Sequence, residues 1–465
     1  MKIVKYMRKV ALLISFIILL VSTNNRVEAQ IAQPSWAQNA VIYQVNPRQF
    51  SSEGTFAKFS ESLMQLKDMG VNVINLTPVQ FVGEKNKLGN AGDVYSVREH
   101  YSIASNYGNE EDFKKLVAKI HEYGMKIILD WNTSYTSIDH NWVGSKNAWY
   151  LKDENGNILS KVERPDIAML NYDNLELRAE VLNAMKHWVK KMGVDGFRVK
   201  DANYAPIDFW KELIQELNYI KPLYFIADIN NEVNVKQYSY YAEVFNSIND
   251  YSFLNNSTNH SQGIISSVKY VDAINSNYKF YPSYSLRVNS LSEYLYNTQV
   301  GTVDELFAKN WQLYAMLSFV LPQSTPLIFN GEENGLTRRL NIYEYDFITS
   351  DEKENKERVI FYKAIVGLKK DVPALQNTLS DSSINFLTLN TSMPEQNNVL
   401  AFKRINQNSE AYIFVNFGNK QSKIKIENTK KLSFLKKYSV HNNAKTILKK
   451  KTITLPANSY VIYYK

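Results

Sequence analysis

The chain has 465 residues, 45 % of them apolar and 22 % charged, and no cysteine. That composition excludes a mainly disordered chain, and it excludes disulfides, thiolate nucleophiles, iron–sulfur clusters and cysteine-held zinc. The formal charge of +8 is unevenly placed: residues 1–29 carry +4 and residues 420–451 carry +10, which leaves −6 for everything else. A mildly acidic main body gives no support to a nucleic-acid groove.

The N-terminus is basic to Lys9, apolar from Val10 to Val21, and reaches Val27-Glu28-Ala29 before Gln30. The apolar run is shorter than the roughly 20 residues a bilayer span needs, and it fits a secretory signal ending at residue 29. The expectation is an exported, periplasmic or extracellular protein with no membrane span.

Three stretches then share one pattern: a helical run, a glycine and a short apolar strand. Gly70 leads into Val71–Leu76, Gly124 into Met125–Asp130, and Gly193 into Val194–Val199. Apolar residues three and four apart (Phe56, Phe59, Leu63, Leu66; then Phe113, Leu116, Val117, Ile120) predict one buried helix face before the first two strands. Strands without alternation are buried on both faces, as parallel βα units require. Further strands are predicted at Val41–Val45, Leu223–Ala227, Ser285–Asn289 and Pro326–Phe329. About eight strands over this length suit a (β/α)8 barrel across residues 30–375, with a doubly wound sheet as the alternative. No G-x-G-x-x-G or P-loop follows any strand.

Residues 131–174 form a long polar and aromatic excursion after the third strand, with a turn at Glu154-Asn155-Gly156-Asn157. Residues 376–465 read as an all-β tail of short strands with turns between them: Val399–Arg404, Ala411–Phe417, Ser422–Ile426, Thr452–Leu455 and Ser459–Tyr464. A small sandwich is expected, with Lys423 and Lys425 on its solvated face.

The motifs Ala40-Val41-Ile42-Tyr43-Gln44-Val45, Tyr107-Gly108, Leu170-Asn171-Tyr172-Asp173, Gly193-Val194-Asp195-Gly196-Phe197-Arg198 and Pro326-Leu327-Ile328-Phe329-Asn330-Gly331 resemble those of the alpha-amylase family, glycoside hydrolase family 13. The resemblance runs from Trp36 to the C-terminal sandwich and makes the excursion the family's domain B. It implies retaining hydrolysis by two carboxylates about 5–5.5 Å apart at barrel strand ends. A third carboxylate stabilises the cationic transition state in this family.

Placed on these motifs, the nucleophile position is Lys200, in Gly196-Phe197-Arg198-Val199-Lys200, and Pro206-Ile207-Asp208-Phe209-Trp210 anchors it downstream. The acid/base position is Asp228, where the family has glutamate. The stabiliser position is Leu291, in Asn289-Ser290-Leu291. Asp201 is a candidate substitute, brought inward only by a local bulge. Arg198, Tyr95, Tyr135, Asn289 and Trp142 are the candidate sugar-binding residues, Tyr95 as the ring-stacking platform. Many members hold calcium through the asparagine that is Ser134 here; a serine hydroxyl suits a hard cation less well, so no metal and no cofactor is expected. Three functions stay open: a family member without hydrolase activity that binds alpha-glucan or maltooligosaccharide, a hydrolase rewired around Asp228 and Asp201, and a scaffold for a protein partner.

Overall fold

Eight parallel strands close into a barrel in the order β1-β10-β9-β8-β7-β6-β3-β2. They are β1 (Ile42–Val45), β2 (Val73–Leu76), β3 (Lys126–Asn132), β6 (Gly196–Lys200), β7 (Tyr224–Ala227), β8 (Ser247–Asn249), β9 (Leu286–Ser290) and β10 (Ser324–Phe329). The computed structural model describes residues 34–229, 240–280, 286–291, 301–349, 356–377, 385–387, 398–425, 432, 435–438, 447–449 and 452–465. The expected N-terminal signal, residues 1–29, lies outside the described residues.

The helix–glycine–strand units form where the sequence places them. Gly70, Gly124 and Gly193 all have positive φ, at 98°, 73° and 80°. At Gly70 a side chain would also strike Val366, since a Cβ there would sit 2.3 Å from Cγ1 of that residue. The first predicted helix is not continuous: it breaks into Phe56–Ser60 and Leu63–Met69, and Phe56, Phe59, Leu63 and Leu66 are still all buried. The break falls at Glu61-Ser62, and the apolar face continues on both sides of it. The sixth barrel strand, β8, has no counterpart among the strands predicted above.

Alternation along the strands builds layers inside the barrel. Ile42, Val73, Ile128, Ile226, Val288 and Leu327 belong to one apolar cluster. Two residues further along the first three strands stand Gln44, Asn75 and Asp130, all buried. The interior therefore changes from apolar to polar toward the strands' C-terminal ends, where barrel sites are built.

The excursion after β3 carries the antiparallel pair β4 (Tyr135–Ser137) and β5 (Ile167–Met169). The predicted turn is closed by a bridge between Lys152 and Ile158. The tail holds a five-stranded sheet in the order β11-β12-β13-β18-β15 and a three-stranded sheet in the order β14-β17-β16. The strands are β11 (Asn385–Phe386), β12 (Val399–Asn406), β13 (Ser409–Asn416), β14 (Ser422–Lys425), β15 (Lys436–Tyr438), β16 (Ile447–Lys449), β17 (Thr452–Leu455) and β18 (Ser459–Tyr464). Ala401, Phe414, Ile424, Ile453 and Val461 pack in the core between them, and Lys423 and Lys425 are exposed.

Two buried basic side chains meet where this tail joins the barrel. Lys369 Nζ donates to the carbonyls of Phe319, Ser324 and Leu375 at 3.1, 3.2 and 3.1 Å, and burial together with the nearby Arg404 lowers its pKa well below the usual lysine value. Arg404, on β12, donates to those of Val320, Leu375 and Gln376 at 3.2, 2.9 and 2.7 Å. The helix Trp311–Val320 ends here, and these side chains satisfy last-turn carbonyls that have no partner within the helix.

Candidate active site

Asp130 is the centre of the polar layer. Its carboxylate accepts from Gln44 Nε2 at 3.0 Å, Asn75 Nδ2 at 2.7 Å and the Tyr95 hydroxyl at 2.7 Å. Burial raises its pKa, against the opposing pull of Arg198 and of the Tyr95 and Asn75 hydrogen bonds. Arg198, 2 % exposed, reaches both flanking acids: Nη2 lies 2.9 Å from Asp228 Oδ2, and Nη1 lies 3.7 Å from Asp130 Oδ2. Asp228, immediately past β7, is itself buried.

Lys200 ends β6 and is half-buried. It stands two residues beyond Arg198 and so on the same face of the strand. Its ammonium lies 4.5 Å from the centroid of the Tyr95 ring. Asp201 follows in a left-handed conformation, φ 53° and ψ 43°, which opens a short 3-10 turn at Ala202–Tyr204. Its carboxylate accepts from the Ser134 hydroxyl at 2.7 Å. The neighbour is therefore redirected by one left-handed residue where the sequence suggested a bulge.

The remaining candidates are packed. Leu291 is buried just past β9. Asn289 is buried and donates to Ser324 Oγ at 2.6 Å, at the start of β10. The Tyr135 hydroxyl donates to Asp93 at 3.1 Å, while the Arg164 guanidinium lies 5.2 Å from its ring centroid. Trp142 stacks on His100 with centroids 4.7 Å apart and planes 9° apart, and meets Trp149 edge-on at 5.1 Å. A hollow of about 230 Å³, its open mouth included, is lined by Tyr95, His100, Asp130, Asn132, Tyr135 and neighbours.

A family model described as the alpha-amylase catalytic domain matches residues 39–148 and 143–438. The chain belongs to the alpha-amylase family. It is 23 % identical to Alpha-amylase 2 of Dictyoglomus thermophilum over 85 % of this chain and 72 % of that protein. It is 29 % identical to the trehalose-6-phosphate hydrolase of Bacillus subtilis, over 38 % of this chain and 37 % of that protein. The match thus spans most of the first relative and little over a third of the second. Among solved structures, an alpha-amylase from Lactobacillus plantarum superposes with a TM-score of 0.79 at 21 % identity, covering 93 % of this chain and 100 % of that one. At that identity the likeness speaks for the alpha-amylase fold.

The calcium of many alpha-amylase family members does not suit the donors present. Ser134 spends its hydroxyl on Asp201, and its backbone carbonyl accepts from Leu170 N. Among the described residues no three His, Asp or Glu side chains gather as a ligand set.

Three features of this alpha-amylase barrel escape a reading by motif. One is the Lys200–Tyr95 contact, which joins residues far apart in sequence. The second is the buried pair His100 and His140, whose ring nitrogens lie 2.9 Å apart; burial lowers their pKa values to about 3 and about 2, so both stay neutral. The third is Arg164, which grips Asp166 through both carboxylate oxygens at 2.9 Å and Asp93 at 2.7 Å. Gln44 and Asn75 could have been found, since each follows an inward apolar residue by two.

Proposed function

We propose that the chain is a non-hydrolysing member of the alpha-amylase family that serves alpha-glucan metabolism by binding glucan without cleaving it. The observation that carries this reading is the pairing at the barrel mouth: the buried Asp228 carboxylate is held by Arg198 at 2.9 Å, and Lys200 brings a second cation to the same strand end. An oxocarbenium-like transition state needs carboxylates whose charge is available to it. Here an ammonium stands two residues beyond Arg198, and an amine forms no glycosyl ester. Loss of a nucleophile from a catalytic unit costs about 10⁴–10⁶ in rate. The rewired hydrolase is disfavoured because Asp201 accepts Ser134 and Asp228 accepts Arg198, so each carboxylate is already engaged.

The scaffold reading draws support from the burial of Tyr95, Tyr135 and Trp142, which leaves little aromatic surface for sugar. One experiment addresses both. Purified protein is incubated with maltoheptaose and with a nitrophenyl glucoside, and maltoheptaose is titrated against tryptophan fluorescence. The expected outcome is a saturable fluorescence change without released product. Turnover that disappears in Asp228→Ala would overturn the proposal; no fluorescence response at millimolar sugar would favour the scaffold.

A further inference from the structure

Lys200 is more than a missing carboxylate. Its side chain leaves β6 on the Arg198 face, and its ammonium comes to 4.5 Å from the centre of the Tyr95 ring. Tyr95 is fixed for that contact: it is 4 % exposed, and its hydroxyl donates to the buried Asp130 at 2.7 Å. A phenol hydrogen-bonded to a carboxylate has a more electron-rich ring, and an ammonium over such a face is attracted by its quadrupole. Sugar stacking requires the same layer of space above the same kind of ring face. One group can occupy it at a time.

We infer that Lys200 is a tethered occupant of the mouth, whose ammonium holds the Tyr95 face by cation–π contact and competes with a glucosyl ring for it. A sugar has to displace the ammonium to reach that face, so the native chain binds glucan weakly there, and a small organic cation finds room only once the lysine is shortened. This deepens the non-hydrolysing reading and rests on it, since a working hydrolase has to admit a sugar at this point.

The test uses the full chain, Lys200→Ala and Lys200→Met, each checked for native near-ultraviolet dichroism. Maltoheptaose affinity is measured by titration calorimetry, and thermal shifts are recorded with n-butylammonium and, as the neutral control, n-butanol. Lys200→Ala is expected to bind maltoheptaose about tenfold tighter than the native chain, between what an exposed and a desolvated cation–π contact are worth. n-Butylammonium should raise its Tm and compete with the sugar, and n-butanol should do neither. Lys200→Met, which fills the space without charge, should bind sugar no tighter than the native chain and stay unresponsive to the ammonium. Equal maltoheptaose affinity in the native chain and Lys200→Ala, or an equal effect of butanol and butylammonium, overturns the inference; if Lys200→Ala does not fold, sugar binding by Lys200→Met tighter than native does so instead. None of these readouts measures turnover, so hydrolysis by the native chain would sink the non-hydrolysing reading separately.

Discussion

Arg198 lies between two acids in a part of the barrel that water scarcely reaches. Its 2.9 Å contact with Asp228 is close enough to be both ion pair and hydrogen bond, and Asp130 stands slightly further away at 3.7 Å. A buried pair of this kind gives little net stability over apolar packing, but losing one partner leaves the other charge uncompensated. Asp228→Ala should therefore destabilise the protein by about 3 kcal/mol, seen in urea as a lower midpoint with an unchanged m value. Asp130 tempers that cost, since it remains within reach of the guanidinium.

The excursion depends on one clamp. Arg164, just before β5, ties Asp166 to Asp93 in the loop that presents Tyr95, and also lies over the Tyr135 ring. Removing it frees two buried carboxylates at once. Arg164→Ala should cost about 3 kcal/mol and, in hydrogen exchange, should lose protection across residues 135–169 before the barrel strands do. The same scale shows what could be read in advance. Helix–glycine–strand units were legible because a glycine with positive φ and an unbroken apolar run are local properties. Ser247-Ile248-Asn249 was illegible, since only pairing with β7 and β9 makes this short polar stretch a strand. The exposed edge strand Lys436–Tyr438 was missed for a similar reason, while β14 announced itself by alternating lysine with apolar residues. At the site, ungapped anchors placed Lys200, Asp228 and Leu291 on strand ends. What each touches was beyond reach, because Tyr95 and Ser134 come from other loops.

Across the whole molecule, pH acts on stability through a buried carboxyl just past β10. Glu333 is buried, accepting from the Tyr43 hydroxyl at 2.8 Å, Gly331 N at 3.0 Å and Asn334 Nδ2 at 2.9 Å. Burial raises its pKa from 4.5 to about 7, with the Tyr43 and backbone hydrogen bonds pulling the other way. Between those values the folded chain holds a proton that the unfolded chain releases, so this contribution to stability is full below pH 4.5 and is lost as pH rises to about 7. Glu333→Gln, which stays neutral, should therefore lose its disadvantage against the native chain over that window, by up to ~3 kcal/mol in denaturant titrations at pH 4.5 and pH 8. A constant difference between the two proteins would show that the carboxyl does not titrate there.

The buried basic side chains beneath the barrel bear on how this protein can be taken apart. Lys369 comes from the barrel's last helix and Arg404 from the tail, yet both hold the Leu375 carbonyl, and together they close the end of the helix Trp311–Val320. A barrel cut away at residue 376 would keep Lys369 and lose Arg404, leaving the Val320 carbonyl at its floor without that donor. The mouth is consequently not a portable part. A chimera that grafts a different strand-end chemistry onto this frame has to bring the tail along as its foundation.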